Sequence, residues 1–332
     1  SDVLRGLSQM HHANHFYGHA HIMSRYVGLA EPPRIWGYLQ HGWNMHDGFA
    51  VNTVFAARYP KFVYSDGCAR RGWAAGLRDY VVIGAPWNYL LELEKQADWE
   101  AEGHTREGTI VYPFHGWEGQ QVAGDHEAYI AEIRETEGDV PITMCLYINE
   151  YEQPRIRRLY EDAGFRVITH GRRGYLWRGT DTEFLYKQLA EVRRHRRVVS
   201  NRMTSALLHG SLAGAEVGVY GDPMQLDNDH AVLGGAQRPQ EIFPEFHQPA
   251  VPADVAREIA VAELGADQLL PPEEIVDLFG WADEFDVEER VAQAPDDSIS
   301  FERVLRRFSP SPEFPSARTG SAPPRVRPER GF

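Results

Sequence analysis

The hexapeptide Ser200-Asn201-Arg202-Met203-Thr204-Ser205 gathers three hydroxyls, an amide and a guanidinium at one turn. It follows a β-branched run, RRVVSN (196–201), and opens a small-residue run, MTSALLHGSLAG (203–214), with the spacing of a helix. A strand's carboxyl end meeting a helix's amino end offers free N–H groups and the positive end of the helix dipole. That combination favours an anion, most often a phosphate. Ser200, Asn201, Thr204 and Ser205 are the residues expected to hold it. Arg172 and Arg173, just after the run FRVITHG (165–171), can add a planar fork that matches phosphate oxygens. A Ser/Thr helix cap uses the same residue types without any ligand, and stands as the alternative.

Group transfer also needs a base. QHGWNMHDGF (40–49) supplies His41, His46 and Asp47 in one turn-rich stretch. His41 or Asp47 is expected to take a proton, since a histidine titrates near neutrality and loops after strands commonly present catalytic groups. Against this, Asp47-Gly48 is also a common turn pair. His115, in YPFHGWEG, follows another strand, with Trp117 and Glu118 beside it. It is expected to line the same cleft.

Seven of the fifteen histidines precede residue 47. His11, His15 and His19 stand four apart, as metal ligands on one helical face would. Gly18 interrupts the segment, no Cys or carboxylate joins it, and HExxH is absent. A structural or cleft-lining role is the expectation, with no metal. Arg193-Arg194-His195-Arg196-Arg197 closes a helical run and reads as a solvated face that complements the dipole.

The elements that must position these residues alternate. PITMCLYI (141–148), FRVITHG, RRVVSN and EVGVYG (216–221) read as strands, and QPRIRRLYEDAG (153–164), TEFLYKQLAEVRRH (182–195) and MTSALLHGSLAG as helices. Such alternation indicates βαβ units and a parallel sheet. Before them, RIWGYLQHG (34–42), KFVYSDG (61–67) and YVVIGAPW (80–87) read as three more strands. TIVYPFHGWEG (109–119) then starts a new set, and a helix capped by Asp125 follows it. Residues 252–281 give two amphipathic helices, the second opened by Pro271-Pro272 and closed at Gly280. GGAQRPQEIFPEFH (234–247) reads as a polar linker. From about 308 the composition turns to Ser, Pro, Arg and Gly, the signature of a flexible tail.

At 332 residues, 42% hydrophobic and 11% aromatic, the chain can build two ordinary domains. Acidic residues exceed basic ones by 48 − 34 = 14, which excludes an extended nucleic-acid surface. Arg155, Arg157, Arg158, Arg172, Arg173 and Arg178 still allow a local basic site. Cys68 and Cys145 read as free buried thiols in a reducing compartment. No stretch approaches the roughly 18 apolar residues that span a bilayer. With no basic-then-apolar leader, the cytoplasm is the expected location.

Several strings resemble those of GT-B-fold bacterial glycosyltransferases of the surface-polysaccharide or natural-product type. YLQHGWN (38–44) is similar to the strand-plus-His-Gly turn of the acceptor domain, and VIGAPWNYLL (82–91) looks like a Gly-Ala-Pro turn of such enzymes. VVSNRMTSALLHGSLAGAEVGVYG (198–221) resembles the segment where a Ser/Thr pair at a helix start holds the donor phosphate. ELGADQLLPPEEIVDLFGW (263–281) resembles the C-terminal helical segment. The Glu-x7-Glu signature of many retaining members is not evident around 200–222. Hydroxyl-pair sites of this kind recur in sialyltransferase-like and glycerophosphotransferase-like relatives, which implies a CMP- or CDP-linked donor as an option. The resemblance implies an α/β fold of two Rossmann-like domains facing across a cleft, with C-terminal helices. The acceptor domain would span 1–105, the nucleotide-sugar domain 106–250, the helices 251–307 and the tail 308–332. The implied activity is metal-independent sugar transfer, without a cofactor, from a nucleotide-sugar to a saccharide, lipid-linked or small-molecule hydroxyl. A sugar-nucleotide epimerase of the same shape and a non-catalytic partner protein remain as alternatives.

Overall fold

The computed structural model describes residues 6, 10, 12–50, 53–116, 122–174, 179–226, 235 and 237–283, all within one unit (residues 1–284). His11, Trp117, Glu118, Arg178 and the tail from 308 lie outside them. Two all-parallel sheets organise the chain.

After helix α1 (His19–Tyr26), the first sheet takes β1 (Tyr38–Leu39), β2 (Lys61–Val63) and β3 (Tyr80–Val82) in that spatial order. Tyr38 pairs with Lys61, and Lys61 with Tyr80. Helix α2 (Asp66–Ala74) crosses from β2 to β3, and Ser65 caps it by accepting from the Cys68 N–H. Beyond β3, Gly84-Ala85 turns the chain into α3 (Pro86–Leu93), and α4 (Gln96–Ala101) follows. The expected strand over 34–42 is only two residues long, and His41 stands in the loop after it.

The second sheet uses β4 (Thr109–Val111), β6 (Ile142–Cys145), β7 (Arg166–Ile168), β8 (Arg197–Ser200) and β9 (Glu216–Val219). Its order is β7-β6-β4-β8-β9, every neighbour parallel. The chain starts in the middle, steps outward to β7, then returns to the other side of β4. A crevice therefore opens at the carboxyl ends of β4 and β8, where crossovers leave in opposite directions. Helices α5 (His126–Glu137), α6 (Ile148–Tyr151), α7 (Pro154–Asp162), α8 (Phe184–Arg194) and α9 (Ser205–Leu212) fill the crossovers. As expected, the Asp125 carboxylate caps α5, accepting from the Ala128 N–H at 2.9 Å. A short antiparallel pair, β5 (Val122–Ala123) with β10 (Gln225–Leu226), stands apart. Past it come α10 (Gln237–Ile242), α11 (Ala253–Leu264) and α12 (Pro272–Phe279). The strands of the first sheet all precede residue 105 and those of the second all follow it.

Burial explains the composition of these pieces. Val111, Met144, Leu146 and Val199 pack with Tyr129, Ile133 and Tyr160 in the core of the second sheet. Helix α9 is buried from Ala206 to Leu212, packed between β8, β9 and α11, hence its small residues. At Gly210 a Cβ would come within 2.8 Å of a Val198 methyl. At the amino edge, the buried Glu137 carboxylate accepts from Thr109, from Arg197 at 3.1 Å and from the Tyr220 hydroxyl at 3.0 Å. It joins α5 to β4, β8 and the end of β9.

Removing Glu137 leaves a nearly buried guanidinium short of its nearest counter-charge, at a cost of about 3–5 kcal/mol. Glu137→Ala is expected to lower the unfolding free energy by that amount, read as a lower urea midpoint at unchanged slope, without changing cavity residues at the opposite edge. An unchanged midpoint would show that Glu216, 3.6 Å from Arg197, compensates fully.

Candidate active site

A pocket of about 800 Å³, its open mouth included, lies at the carboxyl ends of both sheets. Every strand of the first sheet contributes to its wall: Gly42 and Trp43 after β1, Tyr64 after β2, and Ala85 and Trp87 after β3. Four strands of the second do so: Tyr112, Pro113 and His115 after β4, Leu146 and Tyr147 after β6, His170 and Arg173 after β7, and Thr204 and Ser205 after β8. Tyr17 and His19 at the start of α1, Gln188 on α8 and His209 on α9 complete it.

Two sets of bonds hold these loops. On the second-sheet side, the Ser200 hydroxyl donates to the Tyr112 carbonyl at 2.6 Å. The Asn201 side chain accepts from the Phe114 N–H at 2.7 Å and donates to the Asp222 carbonyl at 2.6 Å. Arg202 donates to the Pro223 and Met224 carbonyls and lies over the Phe114 ring. These three residues sew the loops after β4 and β9 to β8. Ser200 and Asn201, expected to touch the anion, thus spend their side chains on neighbouring backbone. Thr204 and Ser205 reach the cavity wall.

On the first-sheet side, the last turn of α11 does the holding. The Trp43 indole N–H donates to Glu263 at 2.8 Å, and Arg71 grips both oxygens of the same carboxylate at 3.1 and 3.0 Å. The Leu264 carbonyl accepts from the Ala85 N–H and the Asn88 amide, each at 2.8 Å. Gly265 (φ +60°) lies against the Tyr64 carbonyl, where an added Cβ would sit only 1.9 Å away. One residue from each strand's loop is fixed by three consecutive positions.

Among the described residues, Arg173 is the one charged side chain in the wall. It lies over the Tyr147 ring at 4.8 Å, and its carbonyl accepts from the Tyr17 N–H at 2.7 Å. Tyr17 itself holds a left-handed conformation (φ 58°), followed by Gly18 at 79°. This break starts α1 at His19, so His15 and His19 do not share a helical face. Arg172 points elsewhere, 3.7 Å from Glu152. The Asp47 carboxylate accepts from the Phe49 N–H at 3.0 Å and closes a turn, the structural role open to an Asp-Gly pair. His41 sits one ring back from the wall, edge-on to Phe16 at 4.1 Å and near Tyr17. His115 is in the wall, its Nδ1 2.9 Å from the Gly116 carbonyl.

Sequence reasoning missed His170, Gln188, His209, Trp43, Tyr64 and Trp87. His170 ends a strand run and His209 stands four residues beyond Ser205, one helical turn deeper. Those spacings were the available signal. The aromatic wall has none, because its members come from loops far apart in sequence.

Burial lowers the imidazoles of His19, His41, His170 and His209 to about 3 and that of His115 to about 4. Lost hydration is the main cause in each. Arg173 adds to it at His41 and His115, and His19 at His41 and His209. All five are neutral near pH 7, able to accept or donate through either ring nitrogen. Three further wall atoms, His19 Nδ1, Trp87 Nε1 and Thr204 Oγ1, are buried without a protein partner. A buried polar atom left unpaired costs about 1–3 kcal/mol, so such atoms mark where a ligand's polar groups would be met.

No family model matches the chain, and no curated protein matches it. Among solved structures it is similar to the UDP co-structure of S. aureus MnaA, with a TM-score of 0.35 and 9% identity over 80% of this chain and 69% of that one. A UDP-GlcNAc 2-epimerase from Neisseria meningitidis bound to UDP-GlcNAc gives 0.35 and 12%, over 69% of this chain. This chain spans 61% of that enzyme's length. The wall teichoic acid polymerase TagF gives 0.33 and 10%, over 77% and 69% of the two chains. Among the described residues, no helix is long and apolar enough to cross a membrane.

The histidines make stability pH-dependent in a defined direction. Their folded values lie below the unfolded value of 6.5, so the unfolded chain binds more protons between those limits. Their contribution is complete above about pH 6.5 and is lost as pH falls toward 3 to 4. Each group accounts for up to about 1.4 kcal/mol per pH unit in that window. Urea midpoints should be flat from pH 8 to 7 and fall steeply from 6.5 to 5. Equal midpoints at pH 7 and 5 would contradict the buried neutral imidazoles.

Proposed function

We propose that this chain is a GT-B-type glycosyltransferase that moves a sugar from a nucleotide donor to a hydroxyl acceptor. One observation carries the reading: a cavity at the carboxyl ends of two parallel sheets has a fixed cation and a free helix start on one side only. Arg173, Thr204, Ser205 and the amino end of α9 form that side, at the switch point of the second sheet. They suit the phosphate of the donor, with His115 beside them. The first-sheet side, with Tyr17, Trp43, Tyr64 and Trp87, carries no charged side chain among the described residues and suits an uncharged ring. The proposed division into acceptor and donor halves falls near residue 105.

The step needs charge stabilised where it develops and a base placed near the attacking oxygen. As the acceptor oxygen bonds to the sugar carbon, its proton passes to a neutral imidazole. The nucleotide leaves with the electron pair of the broken sugar–oxygen bond. Arg173 and the helix dipole meet that charge, so the step calls for no metal ion. His41 and Asp47 were the bases expected from sequence, with His115 as a further catalytic candidate lining the same cleft. Asp47 is closed into its turn, and the choice passes to the imidazoles at the cavity. An epimerase reading draws on one specific feature, that His19 and His209 approach the cavity from opposite halves.

Thermal unfolding with UDP, GDP, dTDP, CDP and CMP, with and without EDTA, tests the assignment. A ligand at a hundred times its dissociation constant adds about 2.7 kcal/mol, a visible shift. One nucleotide should stabilise the protein in either condition, and Thr204→Ala with Ser205→Ala should weaken its binding about tenfold while keeping the fold. Equal binding by that double variant would misplace the phosphate. Turnover of the donor sugar without acceptor, giving an epimer, would convert the assignment to epimerase.

A further inference from the structure

Two aromatic residues of the first-sheet wall have already spent their polar tips. The Trp43 indole N–H donates to Glu263 at 2.8 Å, and the Tyr64 hydroxyl donates to the Gln40 carbonyl at 3.3 Å. Both therefore offer the cavity ring surface rather than hydrogen bonds. Trp87 lies stacked on the His209 ring at 4.3 Å and 9°. Ala85, Leu146, Phe184, Leu185 and Ala206 extend this apolar surface. Among the described residues no carboxylate lines the cavity. Its one amide, Gln188, is engaged through Oε1 with His209 Nδ1 at 2.9 Å.

A saccharide acceptor brings several hydroxyls, each both donor and acceptor, and a hydroxyl buried unpaired is costly. The first-sheet wall answers with two unpartnered buried ring nitrogens, His19 Nδ1 and Trp87 Nε1. A flat apolar body with one hydroxyl matches such a wall far better. Its ring gains stacked or edge-on contacts with aromatic neighbours beyond plain burial, and little polarity is left to satisfy.

The acidity of the hydroxyl points the same way. Burial holds the imidazoles of His19 and His209 at about 3 and that of His115 at about 4, so each is a weak base. A phenol loses its proton near pH 10, as tyrosine does, and an alkyl hydroxyl only near the value of water, about 15.7. Proton transfer to the same imidazole is thus less unfavourable for the phenol by about five to six orders of magnitude.

We propose that the acceptor is a phenol, its aromatic body packed on the first-sheet rings and its hydroxyl presented to the transferred sugar. The assignment rests on the glycosyltransferase reading. The phenol oxygen bonds to the sugar carbon as its proton passes to a neutral imidazole. The sugar–phosphate bond breaks with its electron pair on the departing nucleotide. Thr204, Ser205 and Arg173 are left to the donor.

Calorimetric titration of the full chain with 2-naphthol, maltose and n-octanol reads the ligand class directly. 2-Naphthol is expected to bind at least about tenfold more tightly than either of the others. Equal or tighter binding of maltose or n-octanol overturns the proposal. Tyr17 lines the cavity in a left-handed conformation that asparagine adopts readily, so Tyr17→Asn removes a ring and keeps the backbone. That variant should lose about tenfold in 2-naphthol affinity and hold nucleotide within about twofold of the parent. Unchanged 2-naphthol binding refutes the placement. If the variant fails to fold, the titrations of the parent decide.

The acceptor role is read separately, by mass, from 2-naphthol and a nucleotide-sugar carrying whichever nucleotide stabilises the parent. A naphthyl glycoside is the expected product. Donor consumed with 2-naphthol left intact overturns the role. Failure of every nucleotide to bind refutes the glycosyltransferase reading and the acceptor role with it, while the titrations still decide the ligand class.

Discussion

The last turn of α11 is the constraint on which the first half of the cavity depends. Glu263 carries a buried carboxylate that must be paired, and it is met by the Arg71 fork and the Trp43 indole. The next carbonyl, Leu264, is one of the orphan acceptors at a helix end and is satisfied by the turn after β3. Gly265 lets the chain leave in a left-handed conformation while touching the Tyr64 carbonyl. Helix termination and wall construction are thus the same set of bonds. Short strands of two or three residues need such outside support, since their own ladders are too brief to fix the loops that follow.

The second half reaches the same end by different means. Its five strands form a doubly wound order in which β4 and β8 diverge, and their loops are tied by Ser200, Asn201 and Arg202. Here polar side chains substitute for a bracing helix. The consequence is a division of labour along one turn, with residues 200–202 holding backbone and residues 204–205 facing the cavity. Charge follows the same division. Arg173 and a helix start share the wall with aromatic rings and neutral imidazoles.

The second sheet was legible because each of its strands is a short β-branched run bounded by a helix with a cap or a glycine stop. Asp125, Pro154 and Gly164 fell where local rules put them. The turn at 200–205 was legible as a place but not residue by residue, since hydroxyls and amides that bind a phosphate also satisfy backbone. Asp47 and Arg172 show the same ambiguity, one closed into a turn and the other beside Glu152. The aromatic wall was illegible because Trp43, Tyr64 and Trp87 become neighbours only when three parallel strands align. Gln188 was illegible for another reason: a lone glutamine on an amphipathic helix has no pattern until its partner His209 arrives from α9.

The contact between Trp43 and Glu263 spans 220 residues of sequence. A chain emerging from the ribosome makes all three strands of the first sheet long before it makes the turn that braces their loops. Closing so long a loop costs only logarithmically more than a short one, yet it must wait for the distant residues to be synthesised. Until then the aromatic loops of the early half lack that brace. The brace that fixes the first-sheet loops can form only once residues 263–265 have been made.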